Sequence, residues 1–168
     1  MHRTILIAAL ALCAAACSKG NRVATATLEP RSGSQVTGKG TFTEKDGKVE
    51  VVITAKSLTP GKHGVHVHEK GDCSASDASS AGPHFAPGGG QHAGPTDSKR
   101  HAGDLGNLEA GADGSATLTI TTDALTVGSG DHSVVDRALV IHGDPDDLTT
   151  QPSGNSGGRV ACGVIKVE

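Results

Sequence analysis

The chain has 168 residues and a formal net charge of −3 at pH 7, with 24 glycines, nine histidines, two phenylalanines and neither tryptophan nor tyrosine. This length corresponds to one ordinary domain. The negative charge and the scarcity of aromatic rings exclude nucleic-acid binding, which needs basic and stacking side chains. A core must be built from Val, Ile, Leu, Ala and Thr, and that composition favours β-sheet.

Residues 1–16 have the pattern of a secretory signal peptide. Arg3 supplies the positive start, residues 5–12 are apolar, and small residues lead up to Cys17. The apolar run is too short to span a membrane. We therefore expect an exported protein.

The cysteine that follows this leader predicts a lipid anchor. A cysteine that follows small residues and precedes Ser18 resembles the end of a bacterial lipoprotein signal, in which the cysteine is acylated and becomes the mature N-terminus. Cleavage without a lipid at Cys17 is the alternative. The expected organisation is a short tether over residues 17–22 and one domain over residues 23–168. The expected location is the periplasm, anchored to the outer membrane of a Gram-negative bacterium.

Alternating apolar and polar residues predict strands in seven segments of the domain. These segments are Arg22–Glu29, Gln35–Thr43, Lys48–Lys56, Gly64–His68, Ser115–Thr121, Ala138–His142 and Val160–Val167. Asp-Gly pairs at 46–47 and 113–114 are hairpin-type turn signals. Short strands joined by glycine-rich turns favour an antiparallel sandwich or a small barrel.

Two irregular stretches interrupt this pattern. Residues 69–107 contain three prolines and eight glycines without sustained alternation, and residues 143–158 are similar. Loops this long in a small domain need something other than a core to hold them. Cys73 and Cys162 are the cysteines of the domain, and export to an oxidising compartment predicts one disulfide between them. Two free thiols are the alternative.

The histidines suggest what else holds the loops. His66 and His68 lie on one predicted strand, two residues apart, so both imidazoles face the same side. That pair alone is a weak signal, because hydrogen-bonded histidine pairs on strands are common. The irregular stretch adds His84, His92, His101 and Asp104, and His142 ends a later strand. Imidazole nitrogens suit copper and zinc, and the chain has too few clustered oxygen ligands for calcium or magnesium.

Eight short motifs, in order along the whole domain, resemble the copper/zinc superoxide dismutase family. They are GVHVHE at 64–69, AGPHF at 81–85, HAGP at 92–95, RHAGDLGN at 100–107, GDH at 130–132, VIH at 140–142, DDL at 146–148 and RVACGV at 159–164. The resemblance implies an all-β fold, an eight-stranded antiparallel Greek-key sandwich or flattened barrel with long metal-binding and electrostatic loops.

The resemblance also implies the cofactors and their ligands, with one copper and one zinc in each subunit. The implied copper ligands are His66, His68, His84 and His142. The implied zinc ligands are His84, His92, His101 and Asp104, so that His84 bridges the two metals. Asp146 matches a carboxylate that joins His66 to His92, and Arg159 matches an arginine that guides the anionic substrate. His63 and His132 are expected to be hydrogen-bonded structural histidines.

The implied function is enzymatic. Members of the family are oxidoreductases that dismute superoxide to dioxygen and hydrogen peroxide by a Cu(II)/Cu(I) cycle, in which His84 and Arg159 serve catalysis. The chain departs from the family pattern in the loop before Arg159, where members often carry Lys and Glu. Residues 143–158 contain no Lys, Arg or Glu. The alternatives are a periplasmic copper/zinc-binding module without catalysis and a non-catalytic adhesion lipoprotein. A homodimer and a monomer both remain open.

Overall fold

The structure, a computed structural model, describes residues 21–168. The predicted leader, the lipidation residue Cys17 and most of the tether lie outside the described residues. Within this range the chain forms nine strands and one short 3-10 helix, Ser79–Ala81. The strands are β1 Arg22–Pro30, β2 Thr37–Lys45, β3 Lys48–Lys56, β4 Gly61–His68, β5 Asp104–Ala110, β6 Ala116–Thr122, β7 Ala138–His142, β8 Arg159–Val164 and β9 Lys166–Val167.

All strand pairs are antiparallel, and the strand order is β5-β4-β7-β8-β1-β2-β3-β6. The two-residue β9 pairs with β1. The edge strands β5 and β6 contact each other, so the eight-stranded sheet nearly closes on itself. The connection from β3 to β4 crosses between two parts of the sheet that are not neighbours. The predicted all-β, flattened-barrel fold class is confirmed.

The period-two alternation of the strands explains the core. In β3 every second residue from Val49 to Ala55 points into the barrel and is buried. Phe42 and Phe85, the two aromatic residues of the chain, are 0% and 2% exposed. A Cβ on Gly40 of β2 would lie 2.3 Å from a side-chain carbon of Leu139 on β7, so a larger residue there would have to displace the Leu139 side chain. The interior is close-packed at this point.

Strand β4 is buried on both faces near its end. Val65 and Val67 point into the barrel core, whereas His66 and His68 point outward. The outward histidines are nevertheless fully buried, because loops cover that side of the barrel. The barrel therefore supplies a rigid wall, and the two irregular stretches build the site on it. In residues 21–168 the structure contains no helix long and apolar enough to cross a membrane.

Strand β5 was not among the predicted strands. Its first residues belong to the stretch of 69–107 that lacks alternation, and its pairing with β4 shifts register between Gly64 and His66. Such a bulge breaks the period of two on which a strand prediction depends. The predicted segment Val160–Val167 is also divided, with the fully buried Ile165 between β8 and β9.

Candidate metal centre

The long loop between β4 and β5 returns to pair with β4, and this places His84. His84 forms an isolated bridge with His68. Next to it, the Phe85 amide donates to the carbonyl of Val67 at 2.8 Å, and the Gly103 amide donates to the carbonyl of Phe85 at 2.9 Å. The buried Phe85 ring anchors this turn in the core. A Cβ on Gly103 would lie 2.2 Å from the Val67 carbonyl oxygen, so only glycine lets the strands approach this closely.

Four buried histidines converge on the outer face of the barrel, and this set is named the four-histidine group. One nitrogen from each ring lies within 4.8 Å of the others. The members are His66, His68, His84 and His142. They come from β4, from the loop after it and from the end of β7, so residues up to 76 positions apart in sequence meet here.

Hydrogen bonds around the group determine which ring nitrogen of each histidine carries the proton and which carries a free lone pair. His68 Nδ1 lies 2.8 Å from the carbonyl oxygen of Gly82, and His142 Nδ1 lies 3.3 Å from that of Gly157. A carbonyl only accepts, so both Nδ1 atoms carry the proton and both Nε2 atoms are lone pairs. Those two Nε2 atoms face each other at 3.4 Å. Two acceptors at this distance need a cation between or beside them.

The other two rings extend the same arrangement. His66 Nε2 donates to Asp146 Oδ2 at 2.8 Å, which leaves its Nδ1 as a lone pair. Within residues 21–168, His66 Nδ1 and His84 Nε2 are buried and have no hydrogen-bond partner. Buried polar atoms without a partner are costly and rare in folded proteins. Four converging imidazole nitrogens fit a copper ion, since Cu(II) prefers a tetragonal set of nitrogen ligands.

A second donor group adjoins the first. It contains His66, His84, His92 and Asp104, all buried, with donor atoms again within 4.8 Å of one another. Asp104 Oδ1 lies 2.8 Å from His84 Nδ1 and 3.1 Å from His92 Nδ1. Asp104 Oδ2 accepts from the amides of Ala93 at 3.2 Å and His101 at 3.1 Å. Imidazoles around one anchored carboxylate fit zinc. His66 and His84 belong to both groups. His84 has one ring nitrogen for each group, since its Nδ1 faces Asp104 and its Nε2 has no hydrogen-bond partner within residues 21–168, as expected of a bridging ligand.

His101, expected from the resemblance to be a zinc ligand, lies at the edge of this second group rather than in it. Its Nδ1 is 3.4 Å from Asp104 Oδ2, without the geometry of a hydrogen bond. Its side chain is 13% exposed, whereas the side chains of His92 and Asp104 are 0% exposed. His66 takes the fourth place in the close-packed set. The predicted residues therefore share one neighbourhood, and His101 is its most accessible member.

Asp146 joins the two groups. Its Oδ2 accepts from His66 Nε2, and its Oδ1 lies 2.8 Å from His92 Nε2. The loop presses against this bridge, because a Cβ on Gly154, whose φ is +67°, would lie 1.9 Å from Asp146 Oδ1. Asp146 thus orients one histidine of each group through the nitrogen that faces away from the donor cluster.

Two further residues, Asn107 and Gln151, hold this bridge, and neither was predicted from the sequence. Asn107 accepts from the amide of Asp146 at 2.8 Å and donates to its carbonyl at 3.0 Å. Gln151 makes the same pair of bonds with His92, at 2.8 and 2.7 Å. Asn107 is the last residue of the RHAGDLGN motif at 100–107, so the family motif could have indicated its role. An isolated glutamine in a polar loop carries no such signal.

Burial keeps the imidazoles neutral. It lowers the pKa of His66 and His68 well below the ordinary value, with a further contribution from His84, and lowers the pKa of His142 to about 3. Burial alone raises the pKa of Asp104, but the hydrogen bond and charge of His84 outweigh it and the pKa is lowered. At neutral pH these groups are neutral imidazoles and a carboxylate, which are the forms that bind metal.

Arg159 lies beside the four-histidine group. It lines a cavity of about 380 Å³ together with His68, His84 and His142, named here the Arg159 cavity. Its guanidinium donates to the carbonyls of Ala78 at 2.7 Å and Gly82 at 2.8 Å. Burial lowers the pKa of Arg159, but an arginine remains charged at any physiological pH. A fixed positive charge therefore faces the opening to the four histidines.

A disulfide holds the loop that positions Arg159. Cys73 and Cys162 are bonded, with an S–S distance of 2.01 Å and a sequence separation of 89. Arg31 Nε donates to the Cys73 carbonyl at 2.9 Å and ties the same loop to the end of β1. The predicted disulfide is therefore present. It links the loop of residues 69–103 to β8, the strand that begins with Arg159.

His63 and His132 lie outside both donor groups. His63 Nδ1 is 2.9 Å from the His142 carbonyl oxygen and its Nε2 is 2.8 Å from that of Thr59. His132 Nδ1 donates to the Ala124 carbonyl at 2.8 Å. Both make backbone hydrogen bonds, as expected of structural histidines.

A flattened β-barrel with two adjoining imidazole-rich donor groups that share His66 and His84 defines a protein built for two transition-metal ions. Residues 36–165 match the family model described as copper/zinc superoxide dismutase (SODC). A Brassica juncea protein named superoxide dismutase (Cu-Zn) 2 is 49% identical over 131 residues, which cover 74% of this chain and 85% of that protein. The chain belongs to the copper/zinc superoxide dismutase family, whose members are oxidoreductases that use copper and zinc.

The fold of a solved structure agrees with this. The structure titled as the crystal structure analysis of the clock protein EA4 has a TM-score of 0.79 and 40% sequence identity. The match covers 87% of this chain and 94% of that one. The similarity in fold therefore extends over most of the chain.

Proposed function

We propose that the chain dismutes superoxide to dioxygen and hydrogen peroxide at the four-histidine group. In this proposal His66, His68, His84 and His142 hold copper, and His84, His92, His101 and Asp104 hold zinc. The observation that carries it is the set of converging lone pairs. The Nε2 atoms of His68 and His142 lie 3.4 Å from each other, and both residues line the Arg159 cavity. A buried set of neutral imidazoles next to a fixed cation suits a redox metal that acts on a small anion.

Bound copper supplies the chemistry by alternating between Cu(II) and Cu(I). The protein provides the rest. Arg159 attracts and orients superoxide, because its guanidinium is held by two loop carbonyls and is not neutralised by a carboxylate among its hydrogen-bond partners.

His84 is the proposed proton carrier. Its Nδ1 is engaged by Asp104 at 2.8 Å, so Nε2 is the atom that can take up and release a proton. In the first half of the cycle one superoxide loses an electron and leaves as dioxygen, while His84 Nε2 takes up a proton. In the second half another superoxide gains that electron. It receives one proton from His84 Nε2 and one from water, and leaves as hydrogen peroxide.

A metal-binding module without catalysis would use the same donors. Storage of an ion needs no charged group at the opening, whereas capture of superoxide does. The position of Arg159 in the cavity with three of the four histidines favours the enzyme.

Replacing His142 with alanine tests this function. The variant loses one of the four converging nitrogens, and we expect the rate of superoxide decay by the metal-loaded protein to fall by about 100-fold or more. His132→Ala is the matched control, because it removes an exposed histidine that lies outside both donor groups, and it should retain wild-type activity. Copper and zinc content is measured in parallel. Full activity in His142→Ala, or none in copper-loaded wild type, would refute the proposed site.

The proposal includes export and anchoring. Residues 1–16 act as the signal peptide, Cys17 is acylated, and the domain is tethered at the outer membrane, facing the periplasm of a Gram-negative bacterium. Two observations support this. β1 begins at Arg22, shortly after Cys17, so a lipid there would hold the barrel close to the membrane. The Cys73–Cys162 disulfide suits an oxidising compartment.

Labelling with a radioactive or clickable palmitate in a Gram-negative host tests the anchor. The full-length chain should incorporate label and sediment with membranes until detergent is added. Cys17→Ser should lose the label. Cys13→Ser, the neighbouring leader cysteine, is the control and should keep it. An unlabelled wild-type protein in the soluble periplasmic fraction would show cleavage without a lipid.

A further inference from the structure

A second cavity reaches the shared histidine from another side. It has a volume of about 480 Å³ and is named here the His101 cavity. Its lining includes His84 and His101, and Pro83, His84 and Pro152 also line the Arg159 cavity. These three residues form a wall between the two openings. The bridging imidazole is therefore approached from two directions.

The two histidines at this second cavity, His84 and His101, are both proposed zinc ligands. His84 Nδ1 points to Asp104 Oδ1 at 2.8 Å. His101 Nδ1 is buried, has no hydrogen-bond partner within residues 21–168, and lies 3.4 Å from Asp104 Oδ2. The His101 side chain is 13% exposed, more than that of His84, His92 or Asp104, so its ring is the first imidazole of the zinc-ligand candidates that an ion in the cavity would meet.

The two cavities carry opposite charge. In the Arg159 cavity the charged lining residue is a cation, and none of its lining residues is acidic. In the His101 cavity Glu69 and Asp131 outnumber one cation, Arg137. The Arg137 guanidinium lies over the Phe85 ring, 4.5 Å from its centre, and donates to the Glu69 carbonyl. It is thus held against the wall, whereas both carboxylates are on exposed residues.

We propose that the His101 cavity is the route by which zinc reaches its site. Glu69 and Asp131 attract the dication, and His101 is its first imidazole ligand before Asp104 and the buried histidines complete the set. The Arg159 cavity, whose charge favours superoxide, repels a dication. This inference rests on the proposed zinc site, and it concerns how the site is filled rather than what it does.

The charge test measures zinc uptake by the full chain after its metals have been removed. Mixing with zinc and a chromophoric zinc indicator gives the rate, and an equilibrium titration gives the affinity. For Glu69→Gln combined with Asp131→Asn we expect uptake about fivefold slower than wild type at low salt, with the difference lost at high salt and the affinity unchanged. Glu50→Gln removes an exposed carboxylate on β3 and should change neither quantity.

A steric test separates the two routes. Asp131→Trp narrows the His101 cavity and should slow zinc uptake, whereas Ser79→Trp narrows the Arg159 cavity and should leave it unchanged. The reverse pattern would show that zinc passes through the Arg159 cavity and would overturn the inference. Equal uptake rates in all variants, with normal zinc affinity, would also overturn it. A wild-type chain that binds no zinc at equilibrium would instead refute the proposed zinc site, and the route with it.

Discussion

Changing Asp146 to asparagine is expected to weaken the binding of both metals by about 10- to 100-fold. The carboxylate lies 2.8 Å from His66 Nε2 and 2.8 Å from His92 Nε2, so each of its oxygens orients one ring. Asparagine keeps one acceptor and replaces the other with an NH₂ group, which cannot accept from an imidazole N–H. At least one ring then loses its orientation. Competition titrations with copper and zinc chelators measure both affinities.

Asp147→Asn is the matched control for this experiment. Asp147 is the adjacent carboxylate, but it bonds within its own exposed loop, to the amides of Thr149 and Thr150. Its replacement weakens contacts within the loop but removes none to a histidine, so both affinities should stay within about twofold of wild type. An equal loss in the two variants would mean that loop stability, and not the link between the histidines, controls metal binding.

Removing the disulfide should have the largest effect on stability. In Cys73→Ala combined with Cys162→Ala, the link across 89 residues is absent, and the chain-entropy model predicts a loss of about 4–5 kcal/mol in the free energy of unfolding. Alanine avoids new free thiols and fits the buried position of Cys162. Denaturant unfolding of the oxidised wild type and the double variant measures the difference. A loss below about 1 kcal/mol would show that the metal-binding loop is held without the disulfide.

The same variant should also affect substrate capture. Ala78 and Gly82, whose carbonyls hold Arg159, belong to the loop that Cys73 ties down. With that loop loosened, we expect the rate at low superoxide concentration to fall while metal content stays normal. Pulse radiolysis under native conditions separates this effect from global unfolding.

Particular residues illustrate how far the sequence could lead. Val65 and Val67 alternate with His66 and His68, and this short-range pattern was enough to predict a strand with two histidines on one face. The motifs around His84, His101 and Asp104 identified the family and the donor types. β5 was missed because its bulge beside Gly64 removes the alternation. The accessible position of His101 was not foreseen either, because exposure depends on neighbouring loops.

Residue types, local periodicity and the family motifs are properties of the chain alone, so the all-β class and the disulfide cysteines could be identified before any coordinates, and the resemblance could propose the donor residues. The protonated nitrogen of each imidazole depends instead on a partner far away in sequence. Gly82 lies opposite His68, Gly157 opposite His142, and Asp146 opposite both His66 and His92. The cavity that reaches His101 likewise needs Glu69, Asp131 and Pro152 to meet. These features exist only after folding, since a lone pair or an opening is defined by the atoms that surround it.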